Sequence, residues 1–240
     1  MSINELRLFC LPHGGGDALR FHTWSRWLPP DVRVTPVDLP GHGTRLRQPL
    51  IQDWQPLVTD LTELVGSRID GPFALFGHSL GALLAYEIAR RLADQGTTTN
   101  LLMVAGRNGP TAHQTHHPIH ELPDREFIDS LVSLGGTSPA LRHQPELLSM
   151  YLPLLRADMR LAERYQHEPG PVLACPVLAV AGRRDLMTDP AGLLAWHRAT
   201  TGTCELAFVD GGHFFVGDEQ FTELAAARLR RIGTGSPASR

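Results

Sequence analysis

The chain has 240 residues, 42% of them hydrophobic and 20% charged, with a formal net charge of −3 at pH 7. A chain of this length buries roughly 70% of its unfolded surface without needing disulfide staples, and its charge balance leaves no basic footprint for nucleic acid. All 22 basic residues are arginine, which excludes the phosphate-loop, Schiff-base and kinase-type chemistries that depend on lysine.

In chain order, the opening MSINELRLFCLP lacks a cationic start followed by a long apolar core, so no signal peptide is expected. The longest apolar runs, about six residues, fall far short of the ~18 needed to span a bilayer, and a soluble cytoplasmic monomer is expected. Leu6–Leu11, Val32–Val37, Phe73–Phe76, Leu101–Ala105, Val177–Ala181 and Cys204–Val209 are continuous apolar runs. Such runs suit strands of a parallel sheet covered on both faces. Helix-length segments lie between them, around 20–28, 53–69, 80–95, 189–200 and 218–231. In the second, Leu57, Leu61, Leu64, Val65 and Ile69 recur at spacings of three and four. Strand and helix in alternation predict right-handed crossovers and an open parallel sheet. The three cysteines, Cys10, Cys175 and Cys204, form no close pair and sit in apolar stretches, as buried hydrophobes do.

One interval breaks the rhythm. About 70 residues separate the strand ending near Gly106 from the one starting near Pro176, too many for a single crossover. Residues 107–170 are expected to form a helical lid inserted into one domain that spans 1–240. Within it, 107–123 reads as loop and Pro123–Leu134 as a helix with acids in its first turn. Leu147, Leu148, Tyr151, Leu152, Leu155, Met159 and Ala162 mark an apolar stripe, with a kink or a fresh helix expected at Pro153. Residues 233–240 are expected to be a disordered tail.

The strand at Phe73 runs into Gly77-His78-Ser79-Leu80-Gly81 and then a helix, the strand–turn–helix context that G-x-S-x-G requires. Such a turn presents the Ser79 hydroxyl at the carboxyl edge of the sheet. A nucleophilic serine needs a base, and the base an orienting carboxylate. His213 follows the last strand in a Gly-rich loop, and Asp185 lies just past the strand before it. Asp189 and Asp210 are rival acids, but the first precedes Pro190 like a helix cap and the second suits the turn at 210–213. For a developing oxyanion, the N–H groups of Gly14 and Leu80 are the expected donors, with Gly15 as the alternative to Gly14.

Several segments together resemble the type II thioesterases, free-standing α/β-hydrolases that accompany polyketide synthases and nonribosomal peptide synthetases. They are Pro12-His13-Gly14-Gly15-Gly16, Asp38 to Arg45 (DLPGHGTR), the Ser79 motif, Leu134-Gly135-Gly136-Thr137, Leu154-Leu155-Arg156-Ala157-Asp158 and Gly211 to Phe215 (GGHFF). The chain departs from that pattern in Leu80, where the family often has Met, and in Pro-Gly-His-Gly, where it often has Pro-Gly-Arg. An initial edge strand is also expected to be missing. The resemblance implies an α/β-hydrolase fold and an acyl thioester on the phosphopantetheine arm of an acyl or peptidyl carrier protein, bound transiently. It implies no cofactor of the protein's own. A serine carboxylester hydrolase on free esters is the alternative, and a catalytically dead binding protein a third.

Met150, Met159, Phe214 and the leucines of the insertion are candidates for the acyl pocket, and Phe21, Trp24 and Trp27 could border it or fill the core. His113, His116, His117 and His120 crowd one loop without a familiar metal-ligand spacing, so no metal is assigned. Arg156, Arg160 and Arg164 form a basic stripe, either a docking surface or a solvated helix face.

Overall fold

The computed structural model describes residues 5–112, 117–135 and 144–233. Six parallel strands form one sheet in the order β2-β1-β3-β4-β5-β6. They are β1 (Leu6–Leu11), β2 (Val32–Pro36), β3 (Phe73–His78), β4 (Leu101–Ala105), β5 (Val177–Gly182) and β6 (Cys204–Val209). The helices are α1 (Trp54–Gly66), α2 (Leu80–Asp94), α3 (Asp124–Ser133), α4 (Pro145–Arg164), α5 (Pro190–Leu194) and α6 (Glu219–Gly233).

Alternate side chains of each central strand feed two cores. Phe9, Leu75, Val104 and Ala179 join α1, α2 and α5 on one face. Leu8, Phe76, Met103 and Leu178 join α6 and the short helix Ala18–Arg26 on the other. Because both faces are covered, β1, β3, β4 and β5 are apolar at nearly every position, which is why the sequence displays them as unbroken runs.

Two helices take forms that the sequence left open. The segment expected near 20–28 is a 3-10 helix at Ala18–Arg26; its Phe21 and Trp24 pack at a three-residue interval into the second core. The stripe in 147–162 is one helix that runs through Pro153 without restarting. Leu148 and Leu152 on one side of the proline, and Leu155 and Met159 on the other, pack on the same cluster of Phe127, Ile128 and Leu131 from α3. That shared contact outweighs the one backbone hydrogen bond proline removes. His113 and His116, the residues Gly136 and Thr137, and the tail from 234 lie outside the described residues.

The strand order reverses direction between β1 and β3. Crevices in open α/β sheets form where that happens, at the carboxyl ends of the strands. The loops after β1 and β3 therefore face one another, and they carry His13–Gly16 and Gly77–Gly81.

Candidate active site

Ser79 sits between β3 and α2 with φ 56° and ψ −113°. It is the one non-glycine residue with positive φ among those described. Strain of this kind persists only where the surroundings over-determine it, and the two flanking glycines show how. A Cβ on Gly77 would overlap the carbonyl of Gly81, and a Cβ on Gly81 would overlap the carbonyls of Leu11 and Pro12. The turn folds back on itself and presses on the end of β1, so neither position has room for a side chain. The Ser79 N–H donates to the carbonyl of Ala105 at 2.8 Å, tying the turn to β4.

His213 and Asp185 come from the loops after β6 and β5. The Nδ1 of His213 is 3.0 Å from each carboxylate oxygen of Asp185, and both side chains are buried. Asp185 Oδ1 also accepts the N–H of Met187 at 2.8 Å, which fixes the carboxylate. The rival acids are engaged elsewhere. Asp189 caps α5 through the N–H of Gly192 and accepts from the Asn108 amide. Asp210 lies at the surface near Arg183 and Gln220.

His78, next to Ser79, is fully enclosed and its Nε2 donates to the backbone carbonyl of His213 at 2.9 Å. That bond places the proton on Nε2 and leaves Nδ1 as a buried atom without a partner. It also links the serine turn directly to the histidine loop. Burial, reinforced by the charges of His213 and His13, holds the His78 pKa well below the ordinary imidazole value. Burial beside Arg20 and His213 pushes His13 down to about 3. Both neighbouring imidazoles are thus neutral at physiological pH.

In the loop after β1, the N–H of Gly15 is donated to Asp158 Oδ2 at 2.7 Å and that of Gly16 to the carbonyl of His13. Gly15 is therefore committed, which removes it as the alternative oxyanion donor. Gly14 and Leu80 line one cavity of about 50 Å³ together with Ser79 and His213. Of the acyl-pocket candidates, Met159 and Phe214 line this cavity, but Met150 does not. It is 72% exposed. Two residues beyond Leu148, it lies about 200° around the helix from the face that packs on α3. Phe21 and Trp24 are core residues below the sheet, with Trp27 packed against them.

The basic stripe is not a uniform solvated face. Arg156 stacks over the Phe127 ring, pairs with Asp124 and donates to the carbonyls of His120 and Leu122, fastening α4 to α3. His120 is buried against Glu163 rather than facing solvent. Among the described residues, all three cysteines are free; burial pushes Cys10 well up, and Cys175 and Cys204 to about 11. None is a reactive thiol.

Leu155, one of the leucines of the helical insertion, lines the cavity as expected; sequence reasoning missed Arg107 and Met187, which also line it, and the pairing of His42 with Asp158. An acid on the buried side of an otherwise apolar helix was the available signal for the pair, since such a charge needs a partner.

A family model for the thioesterase domain matches residues 6–232. The gramicidin S biosynthesis protein GrsT of Aneurinibacillus migulanus is 34% identical over 96% of this chain and 91% of its own length. The thioesterase PikA5 of Streptomyces venezuelae is 38% identical over 90% of this chain and 77% of its own. The solved structure of RedJ, a thioesterase from the prodiginine biosynthetic pathway in Streptomyces coelicolor, superposes with a TM-score of 0.86 at 35% identity. It covers 95% of this chain and 90% of the RedJ chain.

Proposed function

Because this chain belongs to the thioesterase family, we propose that it hydrolyses acyl groups held as thioesters on the phosphopantetheine arm of an acyl or peptidyl carrier protein. The observation that carries the reading is the His213–Asp185 pair, 3.0 Å apart, opening onto the cavity that Ser79 lines. His213 takes the proton of Ser79 as its oxygen attacks the thioester carbonyl. The N–H groups of Gly14 and Leu80 stabilise the oxyanion, and the latter lies at the first residue of α2, where amides lack helical partners. As the tetrahedral intermediate collapses, His213 returns the proton to the leaving sulfur, and the departing thiol, with an ordinary pKa of about 8.5, is a better leaving group than an alcohol. Water deprotonated by His213 then releases the acid and restores Ser79. Asp185 fixes the tautomer of His213 and stabilises its cation. No step calls for a cofactor held by the protein. The names of GrsT, a gramicidin S biosynthesis protein, and RedJ, from the prodiginine biosynthetic pathway, support editing of stalled or aberrant chains as the setting.

The test is a panel of acyl-loaded carrier proteins and matched oxygen esters, read by mass spectrometry, for the wild type and Ser79→Ala. Thioester cleavage that falls by several orders of magnitude in Ser79→Ala is expected. A strong preference for the oxygen ester would move the assignment to a carboxylester hydrolase. Wild-type turnover in Ser79→Ala would overturn the mechanism.

A further inference from the structure

The helix α4 and the loop after β1 meet through one carboxylate. Asp158, 2% exposed, accepts the Gly15 N–H at 2.7 Å and faces His42 Nε2 at 2.8 Å with the same oxygen. The other ring nitrogen of His42 lies 3.1 Å from the carbonyl of Pro40. A carbonyl only accepts, so Nδ1 carries a proton; a carboxylate only accepts, so Nε2 carries another. His42, 4% exposed, is therefore an imidazolium clamped between two acceptors. Burial works against that charge, but the hydrogen bond and charge of Asp158, the Pro40 carbonyl and the charge of Asp38 together raise the His42 pKa above the ordinary value. Asp158 from α4 and Asp38 from its own loop are the charged groups that act on it.

The same helix presses on the glycine loop sterically. A Cβ on Gly14 would come within 3.1 Å of the Asp158 Cβ, and one on Gly15 would overlap Leu155. Gly15 has φ +75°. A residue in that region is held there by its hydrogen bonds, and the Gly15 peptide adjoins the Gly14 N–H. Rotation of that peptide would re-aim its neighbour.

We propose that His42 and Asp158 are positioning residues for thioester cleavage: the His42 imidazolium holds the Asp158 carboxylate, the carboxylate holds the Gly15 N–H, and the Gly14 N–H is thereby aimed at the reacting carbonyl oxygen. The proposal rests on the assignment of Gly14 as an oxyanion donor. Loss of the His42 proton leaves Asp158 buried without its counter-charge and removes one of the two clamps. Activity therefore falls on the alkaline side of the His42 titration. Since oxyanion contacts strengthen in the transition state, the loss falls on kcat rather than KM.

The experiment measures kcat and KM against pH, using an acyl-pantetheine thioester, for the wild type, Asp158→Asn, His42→Arg and Ser79→Ala. The wild type shows an alkaline limb above pH 6.5, the ordinary imidazole value. In Asp158→Asn that limb moves to lower pH, and kcat drops at least about 10-fold with a smaller change in KM, a fraction of the 10²–10³ that loss of a whole donor costs. In His42→Arg, where the charge is permanent, the limb disappears. Should His42→Arg fail to fold, ring ¹⁵N shifts of wild-type His42 replace it: both nitrogens protonated at pH 6 and titrating with the alkaline limb. Overlaying pH curves for the wild type and Asp158→Asn, or a bare ring nitrogen at pH 6, would overturn the inference. If Ser79→Ala is dead while those curves overlay, the thioesterase mechanism stands and only the positioning role fails. If Ser79→Ala turns over normally, the underlying mechanism fails first.

Discussion

Asp185 presents both oxygens to Nδ1 of His213 and is itself pinned by the Met187 N–H. An amide in its place could offer its NH₂ group to Nδ1 and stabilise the wrong tautomer. Asp185→Asn should therefore lower kcat by about 10⁴ with little change in KM, measured on an acyl-pantetheine thioester. A drop of less than tenfold would return Asp189 or Asp210 to consideration. At His42 the same bonds that orient the loop also contribute to stability. Its pKa is raised on folding, so the contribution is complete below the unfolded value of about 6.5 and disappears as pH rises through the folded value. His42→Gln should cost about 1.5–3 kcal/mol near pH 6, the range for hydrogen bonds to charged groups. The gap between the urea midpoints of variant and wild type should narrow as pH rises. A gap independent of pH would mean that the imidazole is neutral in the fold.

Among the elements, the serine turn and α4 show opposite ways of accommodating strain. At the turn, packing leaves no room. Gly81→Ala forces a methyl into the carbonyls of Leu11 and Pro12 and should cost at least about 1–3 kcal/mol by overpacking, with loss of activity. In α4, Pro153 is exposed and interior to a 20-residue helix. Pro153→Ala should raise the thermal midpoint, recovering about 1–3 kcal/mol of the cost of an interior proline. A lower midpoint would show that the proline is needed for the contact with α3. The strands were legible because central parallel strands are apolar on both faces, and all six fall within two residues of their expected ends. So were Ser79, Asp185 and His213, because each follows a strand end in a turn whose glycines are dictated by backbone approach. The 3-10 form of the helix at Ala18–Arg26 was not legible, because Phe21 and Trp24, three residues apart, suit either helical period. The bond from Gly15 to Asp158 spans 143 residues and has no local signature. Nor does exposure at Met150, since helical phase decides it and Pro153 obscured that phase.

On the scale of the whole molecule, the loops that carry Ser79, Asp185 and His213 and the helical insertion rest on cores of unequal size. The two clusters that sandwich the sheet comprise most of the buried hydrophobic residues. The helices α3 and α4 share a third, in which only Phe127, Ile128 and Leu131 are buried, flanked by half-buried Leu148, Leu152, Leu155 and Met159. Local opening free energies scale with the apolar contacts that must be broken, so α3 and the part of α4 up to Met159 should open without the sheet. The insertion's other ties are the last turn of α4, where Leu161 and Ala162 join the first core and the Ala162 carbonyl accepts from Arg107, and the contacts of Asp158 with His42 and Gly15. Five of the cavity-lining residues, Leu131, Leu155, Met159, Ala162 and Glu163, belong to these two helices. One side of the cavity is thus drawn from the unit with the smallest core, while Ser79, Asp185 and His213 follow strands of the sheet. In hydrogen–deuterium exchange, amides of α3 and α4 should exchange faster than those of β3, β4 and β5. Arg156→Ala should accelerate α3 and the amino half of α4 while leaving the strands unchanged. Equal protection of insertion and sheet would mean that the whole chain opens as one cooperative unit and that substrate enters without partial unfolding of the cavity wall.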